Sequence, residues 1–352
     1  MGMDTGSVPH FIHGQNIPYL NFTKRSILLK EMETGENPSQ FPVLFFPVTN
    51  RAPELSNRKK EWRMPAKTHI VEGSIEDLVE RARKGNREVL EEIVRRIKDR
   101  VYGLAIRMLY IPADAEDATQ EILVKVITHL STFKEQSRFE TWVYRIASNH
   151  LLTECRGRAE RWRMTFDVCR QAVEESGPAG VPDPSMGAEQ SLICEEMKRA
   201  CVHYLLLCLN KEHRLAFILG EIIGVSNAEG ASILGLTPAA YRQRVSRGKR
   251  QVLGFLARHC GLADEDNPCR CETLAAHHVR KGYLDPEHPL FAEHPCRPRR
   301  ESDAKGLVLE MGRMAKAARV IRNHPDYEAP GAFVESMKRM IESNRFRLLE
   351  HS

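Results

Sequence analysis

The stretch EESGPAGVPDPSMG, residues 174–187, limits how this chain can fold more than any other. Its prolines and glycines recur without a period, which reads as a linker rather than as helix or strand. On either side the pattern is helical. One block runs from Ile75 to about Arg163 with few glycines and one proline, and a second runs from Gly187 to Arg258. No segment alternates convincingly with the two-residue period of a strand, and no internal repeat is visible. The chain is expected to be all-α, with two helical domains joined by a flexible linker and a helical C-terminal extension.

The expected boundaries are a leader at 1–72, a first helical domain at 73–165, the linker at 166–188, a second helical domain at 189–258 and the extension at 259–352. The leader has scattered prolines, an apolar patch FPVLFFPV broken by Pro42 and Pro47, and a basic run NRKKEWR. It is left unassigned, as partly disordered chain or as sequence ahead of a true start at Met64. A length of 352 residues allows two or three domains. A net charge of +5 and a pI near 8.7 are only mildly basic, so where the charges sit matters more than their sum. No apolar run approaches the roughly 18 residues of a membrane span, and the N-terminus lacks the regions of a secretory signal. Nine cysteines, an odd number, argue for reduced thiols or metal ligands rather than a disulfide framework, and so for a cytoplasmic protein.

In DAEDATQEILVKV, four carboxylates (Asp114, Glu116, Asp117 and Glu121) and no cation fall in the first eight residues. Asp114 is the expected helix cap, with acidic residues in the first turn where the helix dipole favours them. Ala118, Ile122, Val126 and Leu130 form a core stripe. Asp117, Gln120 and Glu121 share another, exposed face. A solvated helix end accounts for such a face by itself. Carboxylates cannot favour phosphate, so a functional role for them requires a protein partner.

The next segment, SRFETWVYRIASNHLLTECRGR, opens with an expected capping box of Ser137 and Glu140. At about 100° per residue, Arg138, Trp142, Arg145, Asn149 and Arg156 fall in one stripe, while Phe139, Val143 and Ile146 face a core. Cations for phosphates, an indole for stacking and an amide for base edges suit melted DNA. An amphipathic helix with a buried Trp and solvated arginines is the alternative.

Beyond the linker, SNAEGASILGLTPAAYRQRVSRGKRQVLGFL reads as two helices about a short turn. Ser226 with Glu229 forms a capping box, Gly235 ends the first helix, and Thr237 caps a second with Pro238 at its first position. From Thr237 to Arg258 there are six Lys or Arg residues and no acid. One-sign charge on the second helix is the footprint of major-groove binding, against the alternative of a basic helix packed in a bundle.

DAEDATQE followed by STFKEQSRFETWVYRIASNHLL resembles region 2 of bacterial RNA polymerase sigma factors, particularly the extracytoplasmic-function (ECF) group, and the helix-turn-helix resembles their region 4. The resemblance implies a promoter-specificity subunit without catalysis of its own. Its partners would be core polymerase (the β′ clamp helices and the β subunit), promoter DNA and, in some members, an anti-sigma factor. Carried over, Asp117, Gln120 and Glu121 would dock on the clamp helices. Arg138, Trp142, Arg145, Asn149 and Arg156 would open and read the −10 element. Thr237, Ala239, Tyr241, Arg242, Arg244 and Arg247 would read the −35 element. One departure stands out: Asn227-Ala228-Glu229-Gly230 replaces the family's aromatic and paired acids, and a helical glycine costs roughly 1 kcal/mol relative to alanine. An operator-binding regulator that never engages polymerase is the alternative, but it needs neither the acidic helix nor the Trp142 helix. An enzyme housed in the tail ranks last, since no nucleophile and base are recognisably placed.

Cys194, Cys201 and Cys208 recur every seven residues beside Leu205, as small buried side chains do. In RHCGLADEDNPCRCETLAAHH and beyond, Cys260, Cys269, Cys271 and Cys296 lie among His259, His277 and His278 in a loop-like composition. Zinc is one reading of these four cysteines and the only cofactor suggested; a thiol redox switch and plain free thiols are the others. NPCRC is similar to the Cys-containing extensions of some ECF sigma factors, which implies a tail that regulates in place of a separate anti-sigma protein. The last stretch suggests two amphipathic helices around HPDYEAPG, able to fold back on either domain.

Overall fold

The computed structural model describes residues 72–84, 86–155, 164–177, 187–297 and 312–342. Among these the fold is helical. The first group comprises α1 (Ile75–Arg83), α2 (Arg87–Leu109), α3 (Pro112–Thr128) and α4 (Phe139–Glu154). Then come α5 (Phe166–Glu175), α6 (Gly187–Leu207), α7 (Lys211–Phe217), α8 (Asn227–Leu234) and α9 (Pro238–His259). The extension supplies α10 (Cys271–Arg280), α11 (Arg313–Arg322), α12 (Gly331–Glu342) and two short strands, β1 (Cys296–Arg297) and β2 (Asp326–Tyr327). The strands pair antiparallel with Cys296 opposite Tyr327.

Local chemistry explains most boundaries. Ser74 caps α1 in a capping box with Asp77, and Asn86 caps α2 by accepting from the Val89 N–H. The expected stop at Gly85-Asn86 is therefore also the next helix's start. Two expected caps do not form. α3 starts two residues ahead of Asp114, with Pro112 at its first position, where no N–H is needed. α4 starts at Phe139 without a side-chain cap, and the Glu140 carboxylate pairs with Arg100 at 3.2 Å instead of reaching back toward Ser137.

Two helices lie where none was expected. α5 falls inside the expected linker, capped by Thr165 and anchored by buried Val173, and α10 falls in the loop-like stretch after Arg258. The leader, residues 178–186 and Arg156 lie outside the described residues.

The apolar core is continuous from Leu78 to Met337, so the expected domains share it instead of standing apart. Two buried arginines stitch them. Arg214 of α7 donates to the Met108 carbonyl of α2 at 2.8 Å and to those of Leu207 and Leu209 at 3.3 and 3.0 Å. Arg107 of α2 donates to Gly103 and to Pro325 of the extension, at 2.7 and 2.6 Å. Each guanidinium satisfies carbonyls that the ends of helices and turns leave unpaired.

Candidate functional site

α3 packs its Ala118, Ile122 and Val126 stripe inward, which leaves Asp117 and Glu121 exposed and Gln120 half-buried. These three, with Ala118, Val124, Lys125 and Glu154, line an open groove of about 420 Å³. Lys125 turns its ammonium onto His150 Nδ1 at 2.6 Å, and the other ring nitrogen lies 3.9 Å from Glu121. Burial, followed by the Lys125 charge, holds His150 below the usual imidazole range. Burial and the neighbouring Asp117 push Glu116 up. The groove rim is thus a cluster of carboxylates suited to a cationic protein surface.

α4 follows directly. Trp142 is half-buried, its ring stacked on Phe139 at 5.7 Å and tilted against Phe133 at 5.5 Å. Its plane is fixed by the core while part of it faces out, a compromise between the two sequence readings. Arg138, Arg145 and Asn149 are exposed. Two of them are engaged by the helix-turn-helix. Arg138 pairs with Glu229 of α8 at 3.3 Å, and Arg145 donates to the Ser232 carbonyl and hydroxyl at 2.9 and 2.8 Å. The cationic stripe of α4 therefore faces the first helix of the second DNA-binding unit.

In that unit the capping boxes form as expected: Ser226 with Glu229 for α8, and Thr237 ahead of Pro238 for α9. Thr237, Ala239, Arg242 and Arg247 are exposed and Arg244 is half-exposed. Tyr241 is a correction. It is 0% exposed and its hydroxyl donates to the Ala216 carbonyl at 3.5 Å, so it packs the motif and cannot face DNA. The same ring explains the unusual Gly230, because a Cβ there would lie 2.1 Å from Tyr241 Cζ.

The extension clasps this assembly. Glu196 of α6, only 3% exposed, accepts the backbone N–H groups of Leu290, Phe291 and Ala292 at 3.0, 2.8 and 2.6 Å. Burial raises its pKa against those three hydrogen bonds. Arg199, one turn on, donates to the Phe291 carbonyl at 2.5 Å. His203 stacks on Phe291 at 4.3 Å and meets the Tyr327 hydroxyl at 3.2 Å, and His294 stacks on Tyr102 of α2 at 5.3 Å. None of these residues was singled out from sequence. Glu196 could have been, since a carboxylate between Ile193, Met197 and Ala200 on an apolar helix face implies a buried partner.

The four cysteines proposed for zinc are not brought together. Cys260 and Cys269 are joined by a backbone bridge, Cys271 turns to Cys194, and Cys296 lies in β1 with its sulfur 3.6 Å from Arg199. Among the described residues no three His, Cys, Asp or Glu side chains converge as a metal site would require. Nor is any described helix long and apolar enough to cross a membrane.

Residues 93–161, which include α3 and α4, match the family Sigma-70 region 2. The chain is 32% identical over 169 residues to the ECF RNA polymerase sigma factor SigE of Mycolicibacterium smegmatis, covering 48% of this chain and 62% of the relative. It is 30% identical over 176 residues to the ECF RNA polymerase sigma-E factor of Escherichia coli, covering 50% of this chain and 90% of the relative. A solved structure of CnrH in complex with the cytosolic domain of CnrY is 23% identical and covers 51% of this chain and 95% of that one, at a TM-score of 0.36. With an acidic groove and a cationic, indole-bearing stripe on successive helices, and nine-tenths of a 30%-identical relative matched, the chain belongs to the ECF RNA polymerase sigma factors.

Proposed function

We propose that this sigma factor grips core polymerase through the α3 groove and promoter DNA through α4 and α9, without catalysis of its own, in the cytoplasm where transcription runs. Asp117, Gln120 and Glu121 dock on a cationic surface of the enzyme, the β′ clamp helices by family likeness. Trp142 and Asn149 stack on and read melted bases at the −10 element, with Arg138, Arg145 and Arg156 on phosphates. Thr237, Ala239, Arg242, Arg244 and Arg247 contact the −35 element, and Tyr241 holds their helix in place.

One observation carries the reading: carboxylates and cations are segregated onto two successive helices, each with its own core stripe. A plain operator-binding regulator has no use for the first. Run-off transcription with the full chain and sigma-free core polymerase tests it, and promoter-dependent transcripts are expected. Reversing both charges, Asp117→Lys with Glu121→Lys, is expected to weaken core binding by about tenfold or more, since close interfacial charge pairs contribute upward of roughly 1.5 kcal/mol. Unchanged holoenzyme assembly would sink the assignment.

In the arrangement described here, Arg138 and Arg145 are spent on Glu229 and Ser232, so promoter binding requires α4 and α8 to part. The extension opposes that parting by holding α2 through Arg107 and α6 through Glu196. We read it as a built-in regulator that keeps the factor closed until polymerase or a signal displaces it.

A further inference from the structure

Cys194, in the middle of α6, meets the first turn of α10, the helix that opens the extension's fold. Its sulfur lies 3.7 Å from the Glu272 carboxylate, and the thiol of the preceding residue, Cys271, hydrogen-bonds to it. Lys198, one turn along α6, adds a cation. Cys194 is largely covered, and Cys271 is half-exposed and open to solvent on one side. The other thiols of this region behave differently. Burial pushes Cys201, Cys260 and Cys269 up, and Cys169 keeps its proton by donating to Cys208, 3.6 Å away. The Cys271 hydrogen bond, aided by Lys198, moves Cys194 the other way, toward the thiolate. A thiolate beside a cation with a second thiol in contact is the arrangement of an oxidation-prone pair.

We propose that Cys194 and Cys271 form a peroxide-oxidised dithiol whose disulfide fastens the extension to α6. Cys194 attacks one oxygen of hydrogen peroxide, the O–O bond breaks, and the departing hydroxide takes up a proton as water, leaving a sulfenic acid. The Cys271 sulfur then attacks the Cys194 sulfur. The S–O bond breaks, and hydroxide leaves with the Cys271 proton as a second water. Two thiols and one peroxide thus become one disulfide and two waters, with two electrons passing from sulfur to oxygen. The bond joins residues far apart in sequence across the α6–α10 contact, so the extension can no longer swing off α6. That the bond also silences transcription rests on the reading of the extension as a regulator; the oxidation site itself does not.

The test uses the full-length reduced protein, treated with equimolar hydrogen peroxide and mapped by mass spectrometry under non-reducing conditions. The Cys194–Cys271 cross-linked peptide is expected to appear first, and Cys194 should react about tenfold faster than Cys201 with an alkylating agent. In Cys271→Ser, a sulfenic acid at Cys194 should become trappable by dimedone. A Cys169–Cys208 disulfide forming first, or equal alkylation of Cys194 and Cys201 in the wild-type chain, would overturn the proposal without recourse to any variant. Run-off transcription on the same samples separates the two ideas. Loss of transcripts on oxidation, restored by dithiothreitol and absent in Cys271→Ser, supports both. A mapped disulfide with full transcription retains the oxidation site and removes the regulatory reading.

Discussion

Gly230 occupies the interior of α8, where alanine would raise helix propensity by roughly 1 kcal/mol. Yet Gly230→Ala is expected to destabilise the protein. The added methyl would fall inside the Tyr241 ring, and overpacking a closed core costs roughly 1–3 kcal/mol or more. A urea titration comparing midpoints at constant slope checks the sign. Gly230→Ala combined with Tyr241→Leu should recover part of the loss, which separates ring overlap from a backbone effect. Read by spacing alone, Tyr241 looked like a DNA contact, because it sits among Arg242, Arg244 and Arg247 near the start of a recognition helix. The clash that decides the matter involves a residue eleven positions earlier on another helix, and no periodicity reports that.

At the scale of elements, caps that need only a short side chain and its own backbone were legible. Ser226 with Glu229, and Thr237 with Pro238, stand as the sequence implied. Ser137 fails because the Glu140 carboxylate finds Arg100 and Arg138 within 3.2 and 3.8 Å, and ion pairs outcompete a marginal cap. The β1 segment and the approach to it, Leu290–Ala292, have little helix or sheet of their own and depend on Glu196. Glu196→Ala removes one acceptor from three N–H groups, a loss of at least about 2 kcal/mol of local stability. Hydrogen exchange should show protection lost at Leu290, Phe291 and Ala292 while α3 amides are unaffected. Equal loss in both places would mean that Glu196 supports the whole fold instead of the clasp.

Across the whole molecule, four histidines stand between the extension and the body it covers. Burial lowers His203, His278, His294 and His324, in each case as the leading cause, with His278 brought to about 4. A group whose folded pKa is depressed contributes stability that is complete above its unfolded value, near 6.5, and is lost as pH falls toward the folded one. The closed arrangement should therefore hold at pH 7.5 and loosen between about pH 6.5 and 4. Thermal melts across that range check it, with His278→Phe expected to flatten the dependence in part. Neighbouring charges do not reverse the sign. Arg107 faces His203 and His324 and opposes their protonation further, and Arg199 does the same for His294.

Sequence alone determined what depends on near neighbours along the chain: the all-helical class, the opposite charges of α3 and α4, the helix-turn-helix and the two amphipathic helices of the tail. Spacing fixes which side chains share a helix face, and short polar residues fix where helices begin. The tertiary structure decided what depends on residues far apart. It closed the expected linker with α5, merged the expected domains into one core, set Arg138 and Arg145 against α8, and scattered the cysteines read as a zinc site while pairing Cys271 with Cys194. Those outcomes follow from buried partners, such as the carbonyls around Arg214 and the N–H groups around Glu196, whose meeting is set by packing and leaves no period in the sequence.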